Sequence, residues 1–433
     1  MNIEEIQNNP AYHISYNPAF LIVKQDSDYM FYNSVNHKAF RLNNIEFELL
    51  NLLYTYEDRE YVFSLFEGDV KTEVVRLAEI IEKLGMLDLE SVSDLEHDYK
   101  VATNIPSTYY IHLTNDCNLN CTYCYNQEWR KHRVNPLSYN EWEQICSKII
   151  PFAKTIVLTG GEFLLVPFVP KLVKFIKEHN PTVIIEGLSN GCLDYSRDYI
   201  LKTLNYLDKI TLSCDSLNSN DERVGFNKTN FLNNVRMLKK YYPRLKIAIA
   251  TTLTTKNYMS IGDIRTLCKT YGLEWRKTEV CPSSPKDTVM MVDLGEQVNR
   301  AKESRQHQSK TNTWFTKQIR CGAAKSVCSI NAVGEVYPCQ ALHYEEFDMG
   351  NLLISEIKDL KYIKDSSHVV PSVDDLMPCK VCKVKYICGG GCFANRFAYN
   401  KTGRYSSLFC PMRYENSISM LLSLDNKKMR VDL

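Results

Sequence analysis

The sequence predicts an α/β protein: a partial (β/α)6 barrel, preceded by a small three-strand, three-helix domain and followed by a cysteine-rich segment. Three observations carry this. Apolar segments of strand period and helix period alternate strictly between residues 109 and 279. The first 95 residues hold no cysteine and switch once from β-like to helix-like period. All sixteen cysteines fall in two later blocks, eight within 117–281 and eight within 321–410. At 433 residues the chain is long enough for two or three cores. The boundaries are expected near 95 and 305, dividing the chain into 1–95, 96–305 and 306–433.

In the first segment Phe20–Lys24, Tyr29–Tyr32 and Lys38–Leu42 read as short strands divided by Asp/Ser/Asn turns. Then Ile45, Phe47, Leu49, Leu50, Leu52 and Leu53 form a helical stripe, Tyr61–Phe66 a second, and Val74–Leu84 a third that stops at Gly85. Three strands followed by three helices is a winged-helix-like β3α3 pattern. In the middle segment the strands are Tyr109–Leu113, Ile156–Leu158, Val183–Leu188, Ile210–Cys214, Ile247–Thr252 and Leu273–Glu279. Helical stretches lie between them around Glu141–Ile150, Phe168–Glu178, Asp198–Leu207, Phe231–Tyr241 and Ile261–Tyr271. Strict βα alternation means a parallel sheet, and six units fall short of the eight of a closed barrel, so a partial, TIM-like barrel is expected. The last segment has weak periodicity, many cysteines and several Gly/Pro turns, the mark of a chain that folds around metal.

Composition excludes several classes. With 52 Lys+Arg against 51 Asp+Glu the net charge is +1, which lacks the electrostatic footprint of a dedicated nucleic-acid binder. The polar start Met1-Asn2-Ile3-Glu4-Glu5 shows no export signal. The most apolar stretch, near Val166–Ile176, is broken by Pro167, Pro170, Lys171 and Lys174, far short of the ~20 residues of a membrane helix. A cytoplasmic location is therefore expected, where thiols stay reduced and cysteine clusters mean metal or catalysis.

Cys117-Asn118-Leu119-Asn120-Cys121-Thr122-Tyr123-Cys124 follows the first barrel strand, at the edge where barrel active sites sit. Three thiolates can hold three irons of a four-iron cluster and leave the fourth open, whereas electron-transfer clusters are usually closed by four. The alternative is a structural zinc knuckle, for which no nearby His or Cys supplies a fourth ligand. The C-x3-C-x2-C spacing resembles the radical S-adenosylmethionine (SAM) superfamily. Thr159-Gly160-Gly161-Glu162, after the second strand, resembles that family's GGE motif, which implies that Gly160, Gly161 and Glu162 grip the methionine ammonium. By the same resemblance Ser189 and Asn190, after strand three, and Ser213 and Asp215, after strand four, lie at ribose and carboxylate contacts. Arg223 is expected near the methionine carboxylate and Tyr123 near the adenine. Each of these also reads as ordinary loop chemistry.

Near the C-terminus Cys321 is followed by Gly334-Glu335-Val336-Tyr337-Pro338-Cys339, then by Cys379-x2-Cys382-x5-Cys388-x3-Cys392, then by Cys410-Pro411. This resembles the seven-cysteine SPASM domain of radical SAM peptide modifiers. The resemblance implies one auxiliary four-iron cluster on Cys379, Cys382, Cys388 and Cys410 and another on Cys321, Cys339 and Cys392, with Cys328 placed to complete it. Three [4Fe-4S] clusters in all are thus implied. Zinc ribbons would explain Cys379 and Cys382 but not the whole spacing. Cys146, Cys214 and Cys268 read as buried small hydrophobes, and Cys192 and Cys281 lie nearer the barrel mouth.

The β3α3 unit resembles the RiPP recognition element, the leader-binding domain of enzymes that modify ribosomally synthesised peptides. Lys38–Leu42 and Lys71–Leu84 would then receive the leader by β-augmentation; a DNA-binding or bracing winged helix is the alternative. Together the resemblances imply a radical SAM maturase that crosslinks a precursor peptide, forming a thioether or a carbon–carbon bond, and takes electrons from a flavodoxin- or ferredoxin-type donor. An anaerobic sulfatase-maturing enzyme is a second possibility, but the position after Cys339 is Gln340 where that branch has an aspartate base. A non-catalytic iron–sulfur or zinc scaffold is the third.

Overall fold

The computed structural model describes residues 14–89, 105–127, 130, 134–218, 222–258, 261–280, 295, 299, 318–400 and 409–424. The expected boundaries near 95 and 305, and Cys281, lie outside the described residues. Phe20–Gln25 (β1), Asp28–Asn33 (β2) and Ala39–Leu42 (β3) make an antiparallel sheet in the order β1-β2-β3. Helices Asn44–Thr55 (α1), Arg59–Ser64 (α2) and Gly68–Lys83 (α3) follow. α1 starts where it does because Asn43 and Glu46 cap each other's backbone N–H reciprocally. Residues of opposite parity face opposite ways. Phe20, Phe31 and Leu42 pack with Phe47, Leu50 and Ile81 of the helices, while Leu21, Met30, Tyr32 and Ala39 face the C-terminal region.

The middle of the chain runs through Thr108–His112 (β4), Asn120–Cys121 (β5), Tyr139–Ile149 (α4), Thr155–Thr159 (β6), Val169–His179 (α5) and Ile184–Ser189 (β7). It continues through Asp198–Leu204 (α6), Lys209–Ser213 (β8), Arg223–Val224 (β9), Lys228–Tyr241 (α7), Lys246–Leu253 (β10), Gly262–Tyr271 (α8) and Glu274–Glu279 (β11). β4, β6, β7, β8, β10 and β11 lie side by side in chain order, and every pairing is parallel. Pro170, which breaks the apolar stretch near 170, sits in the first turn of α5, where its missing N–H costs no hydrogen bond. Ile111, Leu158, Ile185, Ile210 and Ile249 of the sheet are buried with Ile145, Leu172, Ile176 and Leu238 of the helices.

The sheet does not end at β4. Val327–Ile330 (β12) adds to it in parallel, and Glu335–Tyr337 (β13) and Gly350–Asn351 (β14) extend it antiparallel, giving nine strands. The sequence reading treated this segment as irregular; a four-residue strand is too short to show a period. The apolar core continues accordingly from the parallel strands through Ile330, Val336, Leu342, Phe347, Phe393 and Phe397. Helices Lys385–Cys388 (α9), Phe393–Asn400 (α10) and Cys410–Leu422 (α11) complete the described chain. Ile418, Leu421 and Leu422 of α11 pack on the outer face of the N-terminal sheet, and Arg41 Nη2 donates to the Leu422 carbonyl at 2.6 Å. Among the described residues no helix is long and apolar enough to cross a membrane.

Candidate active site

The loop Cys117–Cys124 leaves the C-terminal end of β4 and is tied to the sheet at several points. Gly161 N–H donates to the Thr114 carbonyl at 2.7 Å and Glu162 N–H to the Asp116 carbonyl at 2.8 Å. Gly160 has φ +125°, and a side chain on Gly160 or Gly161 would run into the Thr114 or Asp116 carbonyl oxygen. The two glycines thus let the chain entering the cysteine loop lie directly against the end of β6. Further along, β5 pairs with β9 so that Cys121 stands opposite Arg223. Thr122 N–H donates to the Glu222 carbonyl at 2.8 Å, and Gln127 Nε2 donates to the Cys121 carbonyl at 2.9 Å.

Two buried carboxylates hold this arrangement from behind. Glu162, expected at the methionine ammonium, accepts instead from Asn190 N–H at 2.8 Å, Leu164 N–H at 3.2 Å and the Ser189 hydroxyl at 3.1 Å. Burial pushes its carboxyl up to about 7 against the pull of those donors. A fully buried carboxylate must collect donors, and these ones build the turn after β7. Ser189 Oγ is committed too, accepting from Tyr195 OH at 2.7 Å and Gly191 N–H at 3.1 Å. Asp215 grips Arg223 at both ends, Nε at 3.0 Å and Nη2 at 3.2 Å. It also accepts from Thr252 N–H at 2.9 Å and from the Tyr123 hydroxyl. Burial and this carboxylate hold the Tyr123 phenol far above its ordinary pKa. Arg223 Nη1 is left facing Cys121 Sγ at 3.8 Å, while Asn190 Nδ2 bonds Asn118 Oδ1 at 2.8 Å and reaches Cys117 Sγ at 3.8 Å.

These residues wall one cavity of about 950 Å³. Of the expected site, Cys117, Cys121, Tyr123, Cys124, Gly160, Gly161, Ser189, Asn190, Ser213 and Arg223 line it. Glu162 and Asp215 are buried behind the wall. Asn126, Arg130, Thr252 and Lys277 also line it and were not singled out from the sequence; they belong to no motif, although Asn126 Nδ2 holds the Gly160 carbonyl at 3.2 Å. The C-terminal region contributes Gln340, Cys388, Cys392, Phe409 and Arg413 to the same lining.

The C-terminal thiols fall into neighbourhoods. Cys410 acts electrostatically on Cys379, Cys382 and Cys388. Cys392 acts on Cys321, and Cys339 lies near Tyr110 and Tyr125. Cys328 is placed differently. It sits inside β12 opposite Tyr109, 1% exposed, in the apolar core. Burial alone raises its thiol pKa, with none of the other described cysteines acting on it. Cys321, Cys339 and Cys392, the thiols its spacing groups it with, are partly buried against the same apolar core. Cys146, Cys214 and Cys268 belong to the apolar core, and Cys192 packs beside the Cys117–Cys124 loop.

Burial pushes Cys121 up to about 11 and raises Cys117, with Arg223 and Arg130 pulling the other way. Such thiols are weak nucleophiles on their own, and bound iron would supply the positive charge that favours the thiolate. No three His, Cys, Asp or Glu side chains among the described residues converge on one metal-ion position. A four-iron cluster does not require this, since each thiolate takes a different iron and the sulfurs stand farther apart than around one tetrahedral ion. Three neighbouring thiols beside a cavity of this size fit such a cluster with a small-molecule ligand at its open iron.

The family model of the Radical SAM superfamily matches residues 111–268. The chain carries a radical SAM domain. That domain implies S-adenosylmethionine and a four-iron cluster. The chain is 27% identical over 232 residues to an S-adenosylmethionine-dependent nucleotide dehydratase of Flammeovirga pacifica, covering 49% of this chain and 78% of that protein. It is 24% identical over 276 residues to the sporulation killing factor maturation protein SkfB of Bacillus subtilis, covering 59% of this chain and 65% of SkfB. In fold, the radical SAM domain and its flanks resemble the crystal structure of Streptococcus suis SuiB bound to precursor peptide SuiA. That likeness has a TM-score of 0.55 at 16% identity over 90% of this chain and 98% of SuiB.

Proposed function

We propose that this radical SAM enzyme is a maturase that crosslinks a ribosomally made precursor peptide in the 950 Å³ cavity. The observation that carries the reading is that one cavity is lined both by Cys117, Cys121 and Cys124 and by Cys388 and Cys392, one from each proposed auxiliary set. A substrate bound there would share one space with the site of hydrogen abstraction and with a site for the departing electron. The relatives support a peptide substrate: SkfB is a maturation protein and SuiB was crystallised with its precursor peptide.

When bound, the cluster on Cys117, Cys121 and Cys124 and S-adenosylmethionine supply a 5′-deoxyadenosyl radical that takes a hydrogen atom from a substrate carbon. The chain's own residues provide position and enclosure. Gly160 and Gly161 seat the cysteine loop on β6, Glu162 fixes the turn that presents Asn190, and the Asp215–Arg223 pair holds a cation beside Cys121. The C-terminal residues in the lining would limit access of water to the reacting carbon. A leader peptide would pair along β3 beside α3, with main-chain hydrogen bonds giving affinity.

Two auxiliary clusters would be held by Cys379, Cys382, Cys388 and Cys410 and by Cys321, Cys339 and Cys392. With Cys328 inside β12, the second set offers three protein thiols and leaves its fourth position to another ligand, a substrate thiolate in the thioether form of the reaction. Gln340 lines the cavity with its buried Oε1 unpartnered among the described residues. A carboxamide cannot take a proton as a carboxylate base does, which disfavours the sulfatase-maturing alternative. A cytoplasmic setting and a flavodoxin- or ferredoxin-type donor complete the reading. Anaerobic reconstitution, an iron count and a 5′-deoxyadenosine assay test it. Roughly three clusters of iron with SAM cleavage is the expected result; a zinc-loaded chain that leaves SAM intact would overturn the catalytic reading.

A further inference from the structure

Arg396 is a buried cation that the proposed reaction does not use. It lies on α10 one turn beyond Cys392, and its N–H closes that turn on the Cys392 carbonyl at 3.3 Å. The residue is 3% exposed. Nη2 donates to the carbonyl of Gly390, in the run Gly389–Gly391 that links Cys388 to Cys392. All three glycines have positive φ, and a side chain on Gly390 would collide with Nη2, so glycine at 390 is what lets the guanidinium seat. Nε and Nη1 have no hydrogen-bond partner among the described residues, so neither rests on a carboxylate.

Burying a guanidinium without a counter-charge is strongly unfavourable, and arginine cannot escape by losing its proton. Two thiols of the proposed auxiliary sets feel its charge. Cys321 of one proposed auxiliary set and Cys379 of the other both lie within its electrostatic reach, and Phe393 N–H at the head of α10 donates to Cys321. Arg413, the neighbouring cation on α11, acts on Cys388 of a single set.

We propose that Arg396 is the shared counter-cation of the two auxiliary iron–sulfur sites, a positioning residue that holds both cysteine sets together and raises their reduction potentials. Thiolate-ligated clusters carry net negative charge, which grows on reduction. A fixed cation within reach of both in a low-dielectric interior favours the reduced forms and offsets their mutual repulsion. The inference rests on the proposed pair of auxiliary clusters.

The test is an anaerobic redox titration followed by electron paramagnetic resonance. It uses the full-length chain reconstituted with iron and sulfide as wild type, Arg396→Met and Arg396→Lys. In Arg396→Met the auxiliary clusters should become harder to reduce by about tenfold in equilibrium constant, which is about 59 mV for a one-electron couple. Arg396→Lys should stay near wild type, and the cluster at Cys117–Cys124 should be unchanged in all three. Loss of auxiliary iron from Arg396→Met but not from Arg396→Lys would show the same need for charge. Unchanged potentials in iron-replete Arg396→Met, or equal iron loss from both variants, would overturn the proposal. A wild-type chain that takes up a single cluster's worth of iron would instead overturn the reading with auxiliary clusters, and this proposal with it.

Discussion

The two cysteine regions are built on opposite principles. The loop Cys117–Cys124 is held by protein alone: β5 pairs with β9, the main chain of Thr114–Asp116 lies on Gly160 and Gly161, and Arg223 already has Asp215. The described part of the Cys379–Cys410 region is short helices, turns and left-handed glycines, and Arg396 and Arg413 keep nitrogens without a hydrogen-bond partner among the described residues. A pre-formed site suits a small molecule that must come and go, because little ordering is left for each binding event. On the proposed reading, resident clusters would complete the C-terminal region, and their binding would be part of its folding.

The largest test of this contrast is to delete the front thiols. Replacing Cys117, Cys121 and Cys124 together by Ala should reduce 5′-deoxyadenosine formation to background. Folding and roughly two clusters' worth of iron should remain, and loss of all iron would show that the two regions are not independent. Stripping iron from the wild-type chain with a chelator is the complementary experiment. Limited proteolysis should then cut first between Cys379 and Cys392 while 105–280 stays protected, because on this account the short helices and turns there need metal, whereas β12–β14 share the apolar core of the parallel sheet. Equal protection of both would break the comparison.

Smaller effects sharpen the front half. Asp215→Ala strands the buried Arg223 cation and should cost roughly 3–5 kcal/mol in denaturant unfolding; a change below about 1 kcal/mol would mean that the pair is solvated. Glu162 gives a pH signature. Its folded carboxyl is raised by burial from 4.5 to about 7. Between those values the folded chain keeps a proton that the unfolded chain has released, so the contribution is full below about pH 4.5 and is lost as pH rises to about 7. The loss is at most roughly 3 kcal/mol. Glu162→Gln should remove that slope from the iron-free chain, and an unchanged slope would assign it to another group.

Much of the α/β architecture could be read from the sequence because strand and helix periods are long enough to count. Ile156–Leu158 and Ile210–Cys214 mark β6 and β8 to within a residue or so of their ends. β12 was hidden, since Val327–Ile330 is too short for a period and contains a cysteine whose spacing points to metal. Motif spacing says where a residue lies along the chain but not which way it faces. The cysteine loop and the glycines line the cavity, whereas Glu162 and Asp215 lie buried behind it among their hydrogen-bond donors. The packing of α11 on the N-terminal sheet joins residues some 380 positions apart, Arg41 and Leu422, and no local pattern encodes such a contact.

The central claim is that one cavity holds a peptide between the front thiols and the C-terminal ones. The direct measurement is tandem mass spectrometry of a precursor peptide, encoded by a short neighbouring reading frame, after anaerobic incubation with reconstituted enzyme, SAM and reductant. A peptide lighter by two hydrogens, with the loss mapped to a single crosslink and dependent on Cys117, Cys121 and Cys124, is the expected result. Unchanged peptide mass despite SAM cleavage, together with turnover of a nucleotide offered in parallel, would contradict it.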